Sequence, residues 1–296
     1  MLTAARAVAA MSGALLVFQP DLAIKHVTVN GADIAYVESG RGDPLVLVHG
    51  GLQDYRLWTD HIAVFARQFR VVAYSRRNHF PNAVNADGIP DAAADIHADD
   101  LAGLIAVLGL TRPHLVAHSS GATTVLFFAS RHEGVARSLA LNEPNAMSLL
   151  PEAEGGAAAV KEFNERFASA RDAFRRRDID GALPLWADAV SGPGSWARRS
   201  EADRRINADN ALANVADQIS TRPRTAFTCQ MAKAITTPTL LTNGERSPEF
   251  FHRIIDVLER CLPMRERIAI PGASHTVPAE NPTAYRKAVQ AFLSKH

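Results

Sequence analysis

The chain has 296 residues, 47% of them hydrophobic, 21% charged and 7% aromatic, which excludes disorder and allows either two ordinary domains or one large α/β domain with an insertion. Thirty-two basic against thirty-one acidic side chains leave a formal charge of +1, so nothing electrostatic favours nucleic acid as a partner. The two cysteines, Cys229 and Cys261, are too few for a disulfide framework and stand in no C-x-x-C or ligand-spaced cluster, which argues against structural zinc and dithiol chemistry.

Residues 1–23 read as an N-terminal extension or a weak signal-like segment. Ala7–Phe18 is mostly apolar behind Arg6, but it is shorter than the roughly 20 residues a bilayer span needs. Gln19-Pro20-Asp21-Leu22-Ala23 offers no small-x-small cleavage site, and Met11 is an alternative start. The expected location is therefore cytoplasmic, or periplasmic or secreted if residues 1–23 act as a signal. No other stretch is apolar for long enough to be transmembrane, so no stable membrane association is expected.

Ile24–Asn30 and Asp33–Ser39 are short β-branched runs joined at Asn30-Gly31-Ala32, and an Asn-Gly pair between such runs predicts a hairpin. Pro44–Gly50 is a continuous apolar run ended by glycines, as expected of a strand buried on both faces. Phe69–Tyr74 and His114–His118 repeat the pattern. Between them Leu101, Leu104, Ile105 and Leu108 share one helical face, with Asp99-Asp100 expected at the helix start. A helix over Thr123–Phe128 follows directly on the strand His114–His118. Ser138–Leu141, Thr239–Leu241 and Ile268–Ile270 are further short strands. Phe251, Ile254, Ile255, Val257, Leu258 and Leu262 predict a helix ending at Pro263, and Tyr285, Val289, Ala291 and Phe292 another, capped by Asn281 with Pro282 in its first turn. This alternation predicts a mostly parallel sheet covered by helices on both faces. It stops between about 145 and 235, where Phe163, Phe167 and Phe174 keep helical spacing and Gly192-Pro193-Gly194 makes a break. A helical cap at 145–235 is thus expected on a core formed by 24–144 and 236–296.

The strand at His114–His118 meets its helix at Ser119-Ser120-Gly121-Ala122. A sharp strand-to-helix turn needs small residues at its apex and exposes the apical side chain above the sheet, which makes Ser119 in Ala117-His118-Ser119-Ser120-Gly121 a nucleophile candidate. A serine nucleophile needs a base, an acid to orient that base, and donors for an oxyanion. His275 follows the strand Ile268–Ile270 in the loop Pro271-Gly272-Ala273-Ser274-His275, at the strand end where catalytic groups of parallel sheets gather. The glycine turn Val48-His49-Gly50-Gly51 offers the N–H of Gly51, with Leu52 as fallback, beside the N–H of Ser120 as the oxyanion pair. His49 and His118 read as structural.

His49-Gly50-Gly51, Ala117–Gly121 and Gly272–His275, in this order and spacing, resemble the α/β-hydrolase family from about residue 24 onward. The resemblance implies an eight-stranded, mostly parallel sheet with a helical cap after strand six, and a nucleophile–acid–base triad. Members commonly carry an Asp three residues after the glycine that follows strand seven. In Asn243-Gly244-Glu245-Arg246-Ser247-Pro248 that place is held by Ser247. The preferred acid is therefore Glu143, in Leu141-Asn142-Glu143-Pro144 after strand six, an arrangement similar to that of zearalenone lactonases and some lipases; Glu245 is the alternative.

The resulting expectation is a serine hydrolase acting on a small or medium, largely uncharged carboxylic ester or lactone, with no cofactor and no metal. A carbon–carbon bond hydrolase on the same three residues, or a non-catalytic receptor of the same fold, is the rival reading. Trp186, Trp196, Phe250 and Phe251 are candidates for an apolar substrate wall. The loop Ser75–Asn82 is polar and basic and is able to border the site, but reads first as a strand exit held by surface salt bridges.

Overall fold

In the computed structural model, which describes residues 22–82, 93–220 and 222–296, Asn30 and Gly31 turn a hairpin between β1 (Lys25–Val29) and β2 (Ala32–Ser39). Both take positive φ, 47° and 74°, as the tightest hairpin turns require and as Asn and Gly most easily allow. β3 (Asp43–Val48), α1 (Thr59–Phe65), β4 (Phe69–Tyr74), α2 (Ala94–Val107), β5 (His114–His118), α3 (Ser120–Arg131) and β6 (Ser138–Asn142) then alternate. Only helices link β6 to β7 (Thr239–Gly244) among the described residues: α4 (Gly156–Arg175), α5 (Ile179–Ser191), α6 (Ser195–Arg198), α7 (Glu201–Asp209), α8 (Ala211–Ile219), α9 (Cys229–Lys233) and a 3-10 turn at Met147–Glu152. α10 (Glu249–Cys261), β8 (Arg265–Ile270), α11 (Val277–Glu280) and α12 (Pro282–Leu293) come last. The signal-like run Ala7–Phe18 lies outside the described residues, among which no helix is long and apolar enough to cross a membrane.

The eight strands form one sheet in the order β1-β2-β4-β3-β5-β6-β7-β8. The β1–β2 and β2–β4 pairings are antiparallel and the other five parallel. Successive strand residues point to opposite faces, and the core divides accordingly. Val46, Val48, Leu115, Ala117, Leu139 and Leu141 join α2, α3 and α10 on one face. Leu45, Leu47, Val116 and Ala140 meet Trp58, Phe65, Tyr285 and Phe292 on the other.

Two expectations need correcting. β8 begins at Arg265, three residues before the apolar run Ile268–Ile270. It is an edge strand, where charged side chains are tolerated and protect the open edge. α2 begins at Ala94, so Asp99 and Asp100 lie inside the helix. Asp100, 2% exposed, grips the Arg77 guanidinium in two hydrogen bonds of 2.6 and 2.7 Å. Cys229 and Cys261 form one disulfide, which ties the start of α9 to the end of α10.

Candidate active site

β5 and β6 run in register with His118 opposite Asn142. One step further, the Ser119 N–H donates to Asn142 O (2.8 Å) and the Glu143 N–H to Thr242 O (3.0 Å). Both chains then turn off the sheet through positive φ, 54° at Ser119 and 42° at Glu143. Such backbone in a side-chain-bearing residue costs about 1–3 kcal/mol and persists only where its surroundings enforce it. The enforcement at Ser119 is visible in Gly121. A Cβ there would stand 2.3 Å from His49 O and 2.7 Å from Val48 O, so only glycine lets α3 start directly against the end of β3.

Ser119, His275 and Glu143 lie in one hydrogen-bonded line. His275 Nε2 is 2.9 Å from Ser119 Oγ, and His275 Nδ1 is 2.6 Å from Glu143 Oε2. A carboxylate only accepts, so Nδ1 carries the proton and Nε2 is left to accept from the serine hydroxyl. Glu143 is wholly buried, and its other oxygen accepts from the Gly244 N–H at 2.8 Å. Burial pushes the Glu143 carboxyl up, against the opposing pull of the Ser247 hydroxyl and the Gly244 N–H. Ser247 stands close enough for that pull but completes no well-formed hydrogen bond. Burial pushes His275 down, and the nearby Arg199 guanidinium adds to it, so the resting imidazole is neutral.

The loop carrying His275 is held from several sides. The Ser274 N–H donates to Glu280 Oε2 (2.7 Å) and its hydroxyl to Ser191 O (3.0 Å). A Cβ on Gly244 would fall 2.4 Å from Ser274 O, which explains a glycine at the end of β7. The Phe251 ring stacks on the His275 imidazole at 4.0 Å and 12°. Glu245, the alternative acid, points the other way: it is exposed, and its Oε2 accepts from the Gly272 N–H at 2.8 Å. Arg246 donates to Gly272 O. The two neighbours thus clamp that loop from outside rather than pairing with each other.

Gly51 and Ser120 face each other across the elbow, a Cβ on Gly51 lying 3.8 Å from Ser120 Oγ. Among the described residues neither backbone N–H is committed to an acceptor. His49 sets the turn. Its Nε2 accepts from the Arg76 N–H (2.9 Å), which leaves Nδ1–H to donate to Gly50 O (2.8 Å). His118 is buried and bonded to Asn142 Oδ1 at 2.7 Å.

These groups open on a cavity of about 210 Å³ between the sheet and the inserted helices, bordered by Gly51, Arg76, Trp186, Arg199 and Phe251 among others. A second cavity, of about 750 Å³, shares Gln53, Arg199, Asn207 and Thr276 with the first. Of the proposed aromatic wall, Trp186 borders the catalytic cavity, whereas Trp196 and Phe250 do not. Phe250 is wholly buried against Phe163 and Phe167, and Trp196 packs in a small cluster with Phe174 and Leu183. The loop Ser75–Asn82 is not a surface exit, since Ser75, Arg76, Asn78, His79 and Asn82 are all buried. Sequence reasoning passed over Arg199 and Asn207 as cavity residues, because each sits in a polar run that looks solvated, whereas Arg76 belongs to a loop read as able to border the site, which it does.

A family model described as the α/β-hydrolase fold matches residues 43–282. A non-heme haloperoxidase of Rhodococcus erythropolis is 27% identical over 229 residues, 73% of this chain and 79% of its own. Epoxide hydrolase 3 of Mus musculus is 23% identical over 92% of this chain and 77% of its own. Among solved structures, an esterase from Rhodococcus sp. ECU1013 aligns with a TM-score of 0.72 at 20% identity, over 92% of this chain and 98% of that one. A likeness at that identity is one of fold.

Proposed function

Because the chain belongs to the α/β-hydrolase fold family, we propose that it is a serine hydrolase cleaving a small or medium carboxylic ester or lactone, with Ser119 as nucleophile, His275 as base and Glu143 as the acid that orients it. One observation carries the reading: the buried line Ser119 Oγ–His275 Nε2, His275 Nδ1–Glu143 Oε2. Ser119 Oγ attacks the substrate carbonyl while Nε2 takes its proton, and the imidazolium formed is stabilised by Glu143. The N–H groups of Gly51 and Ser120 hold the oxyanion, an effect whose loss typically costs on the order of 100- to 1000-fold in rate. The imidazolium returns its proton to the leaving oxygen, giving an alcohol and an ester of Ser119. Water, deprotonated by His275, then releases the acid and restores the serine.

A hydroxyl rather than a carboxylate at residue 119 separates this reading from epoxide hydrolysis, which on this fold uses a carboxylate nucleophile. The neutral charge balance of the whole chain suggested an uncharged substrate, but the cavity bears Arg76, Arg199 and Arg224 on its walls, and that restriction is dropped. The partner is a small molecule. Of the two kinds of compartment left open, the Cys229–Cys261 disulfide favours an oxidising one. The test is labelling with a fluorophosphonate, run beside hydrolysis of p-nitrophenyl esters and simple lactones, on wild type and Ser119→Ala. The expected result is stoichiometric labelling and turnover in wild type, both lost in the variant. Folded wild type that neither labels nor turns over refutes the reading.

A further inference from the structure

Two arginines border the cavity beside Ser119, and among the described residues neither guanidinium is paired with a carboxylate. The acidic residue on the cavity wall, Asp217, is engaged with Arg224 at 2.6 Å. Among the described residues neither of these two positive charges has a carboxylate within salt-bridge reach, an arrangement that an arriving counter-charge would improve.

The two guanidiniums are held differently. Arg76 is 3% exposed and gives Nη2 to Gly50 O (2.8 Å) and Ser120 Oγ (3.0 Å). It braces both arms of the proposed oxyanion pocket, and its buried Nε meets no acceptor. Arg199 reaches in from between α6 and α7. Its Nη1 donates to Asn207 Oδ1 at 2.5 Å, and Asn207, 3% exposed, donates in turn to Leu52 O at 2.8 Å. One corner of the guanidinium is thus tied through Asn207 to the turn after β3. Among the described residues no acceptor is paired with Nε or Nη2, the edge that forms a planar two-donor fork. Arg199 borders both cavities, and its charge opposes protonation of both His275 and His118. Asp188, Asp203 and Glu280 act on it from a distance, none of them within salt-bridge reach.

We propose that the substrate carries a free carboxylate besides the ester or lactone bond that is cleaved, and that Arg199, pre-oriented by Asn207, grips it through Nε and Nη2. Fork geometry on a planar carboxylate gives two parallel charge-assisted hydrogen bonds, while the positive field of Arg76 favours the same anion. The inference rests on the serine-hydrolase reading and names the substrate class for that site.

The experiment compares charged esters with neutral counterparts of nearly the same shape. Mono-p-nitrophenyl glutarate, with its carboxylate on the acyl side, is set against its methyl ester. 3-Acetoxybenzoate, with its carboxylate on the leaving group, is set against methyl 3-acetoxybenzoate. For wild type, at least one charged ester should exceed its neutral counterpart by roughly 10- to 100-fold in kcat/KM, mainly through KM, the range expected of hydrogen bonds to a charged group. Arg199→Gln should erase that ratio, and Arg198→Gln, an exposed neighbour, should keep it. As a check independent of turnover, free glutarate should slow fluorophosphonate labelling of wild-type Ser119 and dimethyl glutarate should not; this carries the test if Arg199→Gln fails to fold. Labelling and turnover of neutral esters with no preference for either charged ester, or equal protection by glutarate and its dimethyl ester, overturns the carboxylate grip alone. Absence of labelling and of all turnover overturns the hydrolase reading beneath it.

Discussion

Acid should unfold this protein well before carboxylate protonation becomes general. His49, His61, His79, His97, His114, His118 and His275 are each 4% exposed or less. Burial holds every one below its ordinary value of 6.5, to about 4 for His61 and His114 and about 3 for His79 and His275, and well below 6.5 for the other three. The unfolded chain takes up a proton at each near pH 6.5, whereas the native state refuses it until far lower. Their contribution to stability is therefore complete above pH 6.5 and is lost as the pH falls through it. Between pH 7.5 and 5.5 the loss is a little over 1 kcal/mol per histidine, about 9 kcal/mol for all seven. That loss rivals the whole stability of a typical domain, about 5–15 kcal/mol. Urea unfolding followed by circular dichroism at pH 7.5, 6.5 and 5.5 measures it directly. Calorimetry at pH 6 in two buffers of different ionisation heat should show uptake of roughly five protons on unfolding. A stability change under about 2 kcal/mol between pH 7.5 and 5.5, or no net proton uptake, refutes the reasoning.

Glu143→Gln should lower kcat by roughly 10³- to 10⁴-fold, as removal of an orienting acid does elsewhere, while Glu245→Gln should stay within about threefold and lower only the melting temperature; steady-state kinetics of the pair decides between the two carboxylates. Gly121→Ala sets a Cβ against backbone carbonyls that cannot yield and should cost about 2–3 kcal/mol in chemical denaturation, whereas Gly51→Ala, with its nearest neighbour 3.8 Å away, should unfold close to wild type. Reduction of Cys229–Cys261 frees a closed loop spanning 32 positions, and thermal melts with and without reductant should differ by the equivalent of roughly 3–4 kcal/mol in the chain-entropy account.

What was legible in the sequence was local. The Asn30-Gly31 turn, the apolar runs of β3 to β7 and the strand–bend–helix at Ser119 each lie within a dozen residues, where periodicity and turn chemistry act directly. The approach of Glu143 to His275 spans 132 positions. It was within reach only because adjacent parallel strands deliver their C-terminal ends to one edge. Adjacent aromatics were harder: Phe250 and Phe251 differ by one helical step of about 100°, so one joins the interior of α10's contacts and the other covers an imidazole. Helical spacing alone does not say which. Arg199 and Asp100, and Arg76 within a loop read first as a surface exit, were harder for a different reason. A charged side chain is presumed to seek water, and only the assembled fold shows these three turned inward.

With the proposed acid, Glu143, one residue past β6, the exit of β7 has a lighter duty. Gly244 contributes a backbone N–H to the Glu143 carboxylate, but the side chains at 245–247 take no part in moving protons under the proposed chemistry. That short stretch borders the second cavity through Arg246. Exchange at Arg246 reshapes what approaches the chamber next door, at the cost of one of the two clamps that Glu245 and Arg246 set on the loop carrying His275.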